Sequence, residues 1–109
     1  MRVYTTPAVI EDLQNLIDIL YDNGYFSFEE TSIDYVVDLF NDIKANLPNR
    51  PHKSAPEYFD KYEKNMYYAT FKKNNRTTWY AFFTIYDANG DKAYLVHYIA
   101  NNHTIAQHL

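Results

Sequence analysis

Cysteine is absent from this sequence, glycine occurs only twice, and no apolar run approaches the ~20 residues that a membrane-spanning helix needs. Without cysteine there is no disulfide framework, no thiol nucleophile and no zinc ribbon, and a reducing, cytoplasmic compartment is the expectation. With Gly24 and Gly90 alone, a Walker loop, a dinucleotide-binding glycine loop and a Gly-x-Ser-x-Gly elbow cannot be written. Standard nucleotide-cofactor enzymes drop out, and no cofactor is expected. Residues 1–7 lack the apolar core of a secretory signal. No segment repeats, and no stretch sustains the heptads of a coiled coil.

What the chain does have is aromatic residues, 18% of the total, and a divided charge. Its 109 residues are read as one domain, able to bury roughly 65% of the unfolded surface. The net charge of -4 conceals an asymmetry: residues 1–47 hold Arg2 and Lys44 against nine acidic side chains, whereas residues 48–109 hold eight basic against five acidic. All four histidines also fall in the second part. Such polarity steers an anionic partner to one side of a fold, or simply solvates a helical face.

Helices are expected in the acidic part. After a short β-branched strand at residues 2–5, Thr6-Pro7 reads as an N-cap with proline in the first turn. Val9, Leu13, Leu16, Ile17 and Leu20 then make one apolar stripe that stops at Asp22-Asn23-Gly24. A second helix starts either at the capping box Ser27-x-x-Glu30 or at Thr31, carries Ile33, Val36, Val37, Phe40, Ile43 and Leu47, and ends at Pro48. Two such helices joined by a short loop form an antiparallel pair. The proline-bearing residues 48–56 read as an irregular linker. Residues 57–65 read as a short helical turn with Tyr58, Phe59 and Tyr62 facing inward, and residues 103–109 as a last turn that frays.

Strands are expected in the rest: residues 66–73, then two arms of a long hairpin around Asn89-Gly90. Asp87 and Gly90 suit a type I turn with a G1 bulge, which pairs Asp87 with Asp91. In that register Trp79, Ala81, Phe83 and Ile85 share an apolar face with Ala93, Leu95, His97 and Ile99. Tyr80, Phe82, Thr84 and Tyr86 share the other with Lys92, Tyr94, Val96 and Tyr98. A two-residue loop would exchange the second-arm sets, because strand side chains alternate. The fold class that follows is α+β: a helix hairpin packed in a second layer on a curled antiparallel sheet, in the order β-α-α-β-β-β, with the tyrosine face left open.

This order, together with Met66-Tyr67-Tyr68-Ala69-Thr70-Phe71, Trp79-Tyr80-Ala81-Phe82-Phe83, Tyr94-Leu95-Val96-His97-Tyr98-Ile99 and Asn102-His103, resembles the RelE/ParE superfamily of toxins from type II toxin-antitoxin systems. The resemblance spans nearly the whole chain. It implies an antitoxin partner and one of two activities, cleavage of mRNA on the ribosome or inhibition of DNA gyrase. A metal-independent endoribonuclease of this kind needs a base for the ribose 2′-hydroxyl, cations for the phosphate and a proton donor. The sequence departs from the family in having no arginine after Arg76.

The candidate catalytic residues are therefore His103, Tyr98 and Lys72, and the candidate phosphate or nucleic-acid contacts are Lys72, Lys73, Arg76 and Lys92. Tyr80, Tyr86 and Tyr94 are candidate interface residues, since tyrosine joins apolar area to a polar tip; further chain or a self-dimer covering them is the alternative. The basic cluster suits a solvated hairpin tip equally well, and His97 on the apolar face suits a hydrogen-bonded core histidine. His103 and His108 stand five apart, which is not a metal-ligand spacing on a helix, so no metal is expected. A non-catalytic interaction module, homodimeric or a degenerate toxin, is the alternative function.

Overall fold

The computed structural model describes residues 2–24 and 26–109; Tyr25, in the loop expected between the helices, lies outside them. The chain is α+β, with a five-stranded mixed sheet. The elements run β1 (Arg2–Thr5), α1 (Pro7–Asp22), α2 (Glu29–Asn46), β2 (Lys53–Ser54), β3 (Tyr67–Lys72), β4 (Thr78–Ala88), β5 (Asp91–Asn101) and the short α3 (Asn102–Ile105). The sheet order is β1-β5-β4-β3-β2. Only β1 departs from the antiparallel sheet that was expected, lying parallel to β5 with Val3 opposite Tyr94. On this edge strand Lys44 of α2 donates to the Val3 carbonyl.

Capping chemistry sets the ends of α1. The Val9 N–H donates to Thr6 Oγ1 at 3.2 Å, Pro7 occupies the first turn, and Gly24, at φ +75°, leaves the helix after the Asn23 N–H has closed on Ile19. At α2 the expected capping box does not form: Phe28 is the N-cap and provides no side-chain bond. The helix is also rolled from the expected stripe. Ser32, Val36, Leu39, Ile43 and Leu47 are buried, while Ile33 and Val37 are exposed. Leu39 continues the four-then-three spacing from Ser32 and Val36, so the face centred on it meets the sheet. The linker, expected to be irregular, includes β2, whose two residues pair with Tyr67 and Tyr68. Such a short strand is a blunt sheet edge.

The hairpin corrects the expected register. Asp87 pairs with Lys92 and Ala88 with Asp91, leaving the two-residue loop Asn89-Gly90 with φ of +56° and +82°. Both turn residues are left-handed, the type I′ geometry whose twist matches the strands, and the Gly90 N–H donates to Asp87 Oδ1 at 3.1 Å. The bulge lies instead within the strands, where the register shifts between Phe82, opposite Tyr98, and Phe83, opposite Val96. His97 is the extra residue. Tyr94 and Val96 therefore join Phe83 and Ile85 on the helix-facing side, and His97 reaches Thr84 on the other, the reverse of the expected assignment. Beyond the bulge Ile99 returns to the helix side opposite Ala81.

Two clusters result. The larger joins α1 and α2 to one sheet face through Val9, Leu13, Val36, Leu39, Ile43, Phe71, Ala81, Phe83 and Val96. The face expected to be open carries a second cluster, Phe59, Met66, Phe82, Ala100 and Ile105. Its cover is the 3-10 turn Glu57–Lys61 and the C-terminal turns. Of the three aromatics expected to face inward from that segment, Phe59 is fully buried and stacks on Phe82 at 4.3 Å. Tyr58 and Tyr62 are exposed and lie flat on His108 (3.5 Å) and Tyr98 (3.8 Å). The C-terminal turn is thus packed rather than frayed, with Ile105 buried.

Candidate nucleic-acid interface

Two polar turns meet at the end of the sheet opposite the Asn89-Gly90 loop. The first, residues 73–77, is wound around one asparagine: Asn74 Oδ1 accepts from the Arg76 N–H at 2.8 Å and the Thr77 N–H at 2.9 Å. The Lys73 N–H closes the turn on the Thr77 carbonyl at 3.0 Å. The second turn leaves β5, with Asn101 Oδ1 accepting from the His103 N–H at 3.0 Å as an N-cap. Asn102 joins the two, accepting from the Thr78 N–H at 2.9 Å and donating to the Arg76 carbonyl at 3.1 Å. His103 Nε2 then lies 3.3 Å from Thr77 Oγ1, although the residues are 26 apart in sequence.

Arg76, Lys73 and His103 thus share one corner. Arg76 and His103 are exposed, while Lys73 is half-buried with its ammonium 5.5 Å from the centre of the Tyr35 ring. Lys72 is exposed on the other sheet face, opposite Thr78, so the neighbouring lysines straddle the strand. Lys92 does not join them. It pairs with Asp87 near the far loop, nine residues along β4 from Thr78, or about 30 Å at 3.3 Å per residue.

The other candidates are dispersed. Tyr98 is half-buried on the second face beneath Tyr62, where burial first, and a hydrogen bond with Tyr62 second, push its phenol well above the usual tyrosine value. A phenol held in that way stays protonated at neutral pH and does not serve as a base. Tyr80 is half-buried against Tyr68 on the same face, and Tyr86 is exposed. Tyr94, expected outside, is buried on the helix side against Phe83. The three interface candidates do not form one surface.

The residues that organise the corner carry no functional signal of their own in the sequence. Asn74, Asn101 and Asn102 sit at strand ends and use their side chains to hold backbone. A second unforeseen contact supports the same corner from the helix side, where the Trp79 indole N–H donates to Tyr35 Oη at 2.9 Å. Among the described residues, no group of three or more His, Asp or Glu side chains is placed to hold a metal, and no helix is long and apolar enough to cross a membrane. No protein-family model, curated protein or solved structure matches this chain.

Proposed function

We propose that this chain is a RelE/ParE-like toxin domain that engages RNA phosphate at the corner formed by residues 73–77 and His103. The observation that carries the reading is the seat of His103, at the end of the last strand, on Thr77 of the turn that also carries Arg76 and Lys73. One imidazole and two cations on adjoining turns supply the base and the phosphate contacts for metal-independent cleavage at a ribose 2′-hydroxyl: His103 takes the hydroxyl proton, Arg76 and Lys73 hold the phosphate, and a solvent water protonates the leaving 5′-oxygen. The strand-helix-helix order at the start of the chain and the β3-β4-β5 meander at its end support the family assignment.

The test is induced expression in a bacterial host without a partner. Growth arrest with translation failing before supercoiling is expected, and Arg76→Ala, Lys73→Ala or His103→Ala relieves it. Co-expression of a cognate antitoxin restores growth. Absence of arrest in a sensitive host overturns the reading. A gyrase inhibitor on the same fold would reverse the order in which translation and supercoiling fail.

A second reading, a non-catalytic interaction module, draws on a different observation. The groove between α1 and α2 is lined by Ile10, Leu13, Gln14, Ile17, Val36, Val37 and Phe40, with Val37 exposed at its rim. Stable capture of a partner without growth arrest, unaffected by Arg76→Ala, would favour this module over the toxin.

A further inference from the structure

A cleft of about 270 Å³ opens between α1 and the ends of β4 and β5, close to the polar corner but on the helix side of the sheet. Its walls are Leu13, Leu16, Ile19, Trp79 and Ile99, and its polar groups are Asp12 and Asn15. Trp79 is almost fully buried, and its indole N–H is engaged by Tyr35, so what the ring offers the cleft is apolar and π surface. Asp12 and Asn15 are exposed on α1, and among the described residues Asp12 is the one ionisable group in the lining.

The cleft is tied to the corner through named contacts. Trp79 holds Tyr35, and the Tyr35 ring lies beneath the Lys73 ammonium. Trp79 is also two residues from Thr77, on which His103 rests. Two extended residues span roughly 7 Å, which is close to the reach from a nucleobase to its own phosphate.

We infer that this cleft is a nucleobase subsite selective for guanine, with the phosphate of the same nucleotide held at the corner. The inference rests on the RNA-binding reading above and adds its base preference. A carboxylate is an acceptor only and takes two parallel N–H donors. Guanine alone among the four RNA bases presents two adjacent donors on its pairing edge, N1–H and the 2-amino group. Asp12 receives that pair, the Asn15 amide donates to O6, and Trp79 with Leu16 and Ile99 covers the ring. Adenine offers Asp12 one donor and places an unprotonated ring nitrogen beside its negative charge, which disfavours it. The division of labour is electrostatic as well, since the carboxylate meets the base edge while the cations lie on the phosphate side.

Trp79 is the sole tryptophan, so its fluorescence reports the cleft directly. The full chain is titrated with the 2′-O-methyl RNA pentamers UUGUU and UUAUU, in which no 2′-hydroxyl is free to attack. UUGUU is expected to quench Trp79 and to bind roughly tenfold or more tightly than UUAUU, the scale of one good bidentate base contact. Asp12→Asn removes the preference without weakening UUAUU, and a pentamer with inosine, which lacks the 2-amino group, falls between the two. Lys73→Ala weakens both RNAs alike. Equal affinity for UUGUU and UUAUU overturns the subsite even where growth arrest is intact. Quenching by arginine amide that exceeds quenching by the guanine RNA also overturns it, making the cleft a cation site. A guanine preference that persists where expression causes no arrest upholds the subsite and removes only the toxin reading.

Discussion

The two faces of the sheet are covered by different means. On one, α1 and α2 bring Val9, Leu13, Val36, Leu39 and Ile43 onto Phe71, Phe83 and Val96. On the other, one 3-10 turn and the last few residues place Phe59 and Ile105 over Phe82 and Ala100. The neighbours Phe82 and Phe83 point to opposite faces and are both fully buried, so both sides of β4 are covered at its middle, while Tyr86 near its end stays exposed. Among the described residues the two long helices cover the first face, and the turn Glu57–Lys61 with the C-terminal turns covers the second. The tail is therefore structural, and the same turn that seats Ile105 delivers His103 to the corner.

The largest expected effect tests that inequality. Phe83→Ala removes a ring from the helix-backed cluster and should cost about 4 kcal/mol, while Phe82→Ala, in the thinner cluster, should cost about 3 kcal/mol because its cover can collapse onto the gap. Urea unfolding of the two variants decides it. A larger loss at Phe82 would mean that the tail side carries the fold. Next in size, Ile105→Ala should cost about 2 kcal/mol. It should also raise binding of a hydrophobic dye at the second face, a change that substitution of the exposed Val37 does not produce. An unchanged urea midpoint would separate the tail from the core and break the comparison.

The helix-backed face was the more legible of the two in sequence. Thr6-Pro7, the apolar spacing of α1 and the stop at Gly24 are local signals that agree with the fold, whereas the local capping box at Ser27 does not form. Leu39 was missed because the roll of α2 is chosen by the sheet it meets, not by its own periodicity. The second face reads as open in sequence because the short turns that cover it, Glu57–Lys61 and the C-terminal turns, have no period to betray what they pack on. The hairpin register failed by one residue at the turn, since Asp87 and Gly90 suit two turn types and only the cross-strand packing selects one. That single residue moved Tyr94 inside and His97 out. Of the corner, Lys73, Arg76 and His103 were legible as residue types; their convergence was not, because it depends on Asn102 bridging turns 26 residues apart.

Asn102 sharpens the comparison at the seam between the faces. Asn102→Ala leaves the Thr78 N–H and the Arg76 carbonyl without their side-chain partner and should cost about 1–2 kcal/mol. The measurable signature is local: the Thr78 amide should exchange with solvent faster while the Ala81 and Phe83 amides keep their protection. Under the proposed toxin reading, growth arrest should weaken as well, because His103 loses its fixed approach to Thr77. Unchanged exchange at Thr78 would show that the corner is held by other contacts.

The smallest expected effect distinguishes the faces by pH. His97, the bulge residue on the tail side, lies with Nε2 2.9 Å from Thr84 Oγ1, and burial lowers its pKa below the ordinary 6.5 against an opposing pull from Glu63. A histidine whose pKa is depressed by folding binds fewer protons folded than unfolded between its lowered value and 6.5, so stability rises with pH across that window. Its contribution is complete above the unfolded value and is lost as the solution is acidified through it. His97→Gln should flatten the stability profile between pH 5 and pH 7 relative to the unsubstituted chain, read from urea midpoints at each pH. His97 was expected on the helix side and now borders the thinner cover, so the acid-sensitive element and the weaker face coincide. Mild acid should then loosen the tail-side amides before those under α1 and α2, and simultaneous loss of both would remove the distinction between the faces.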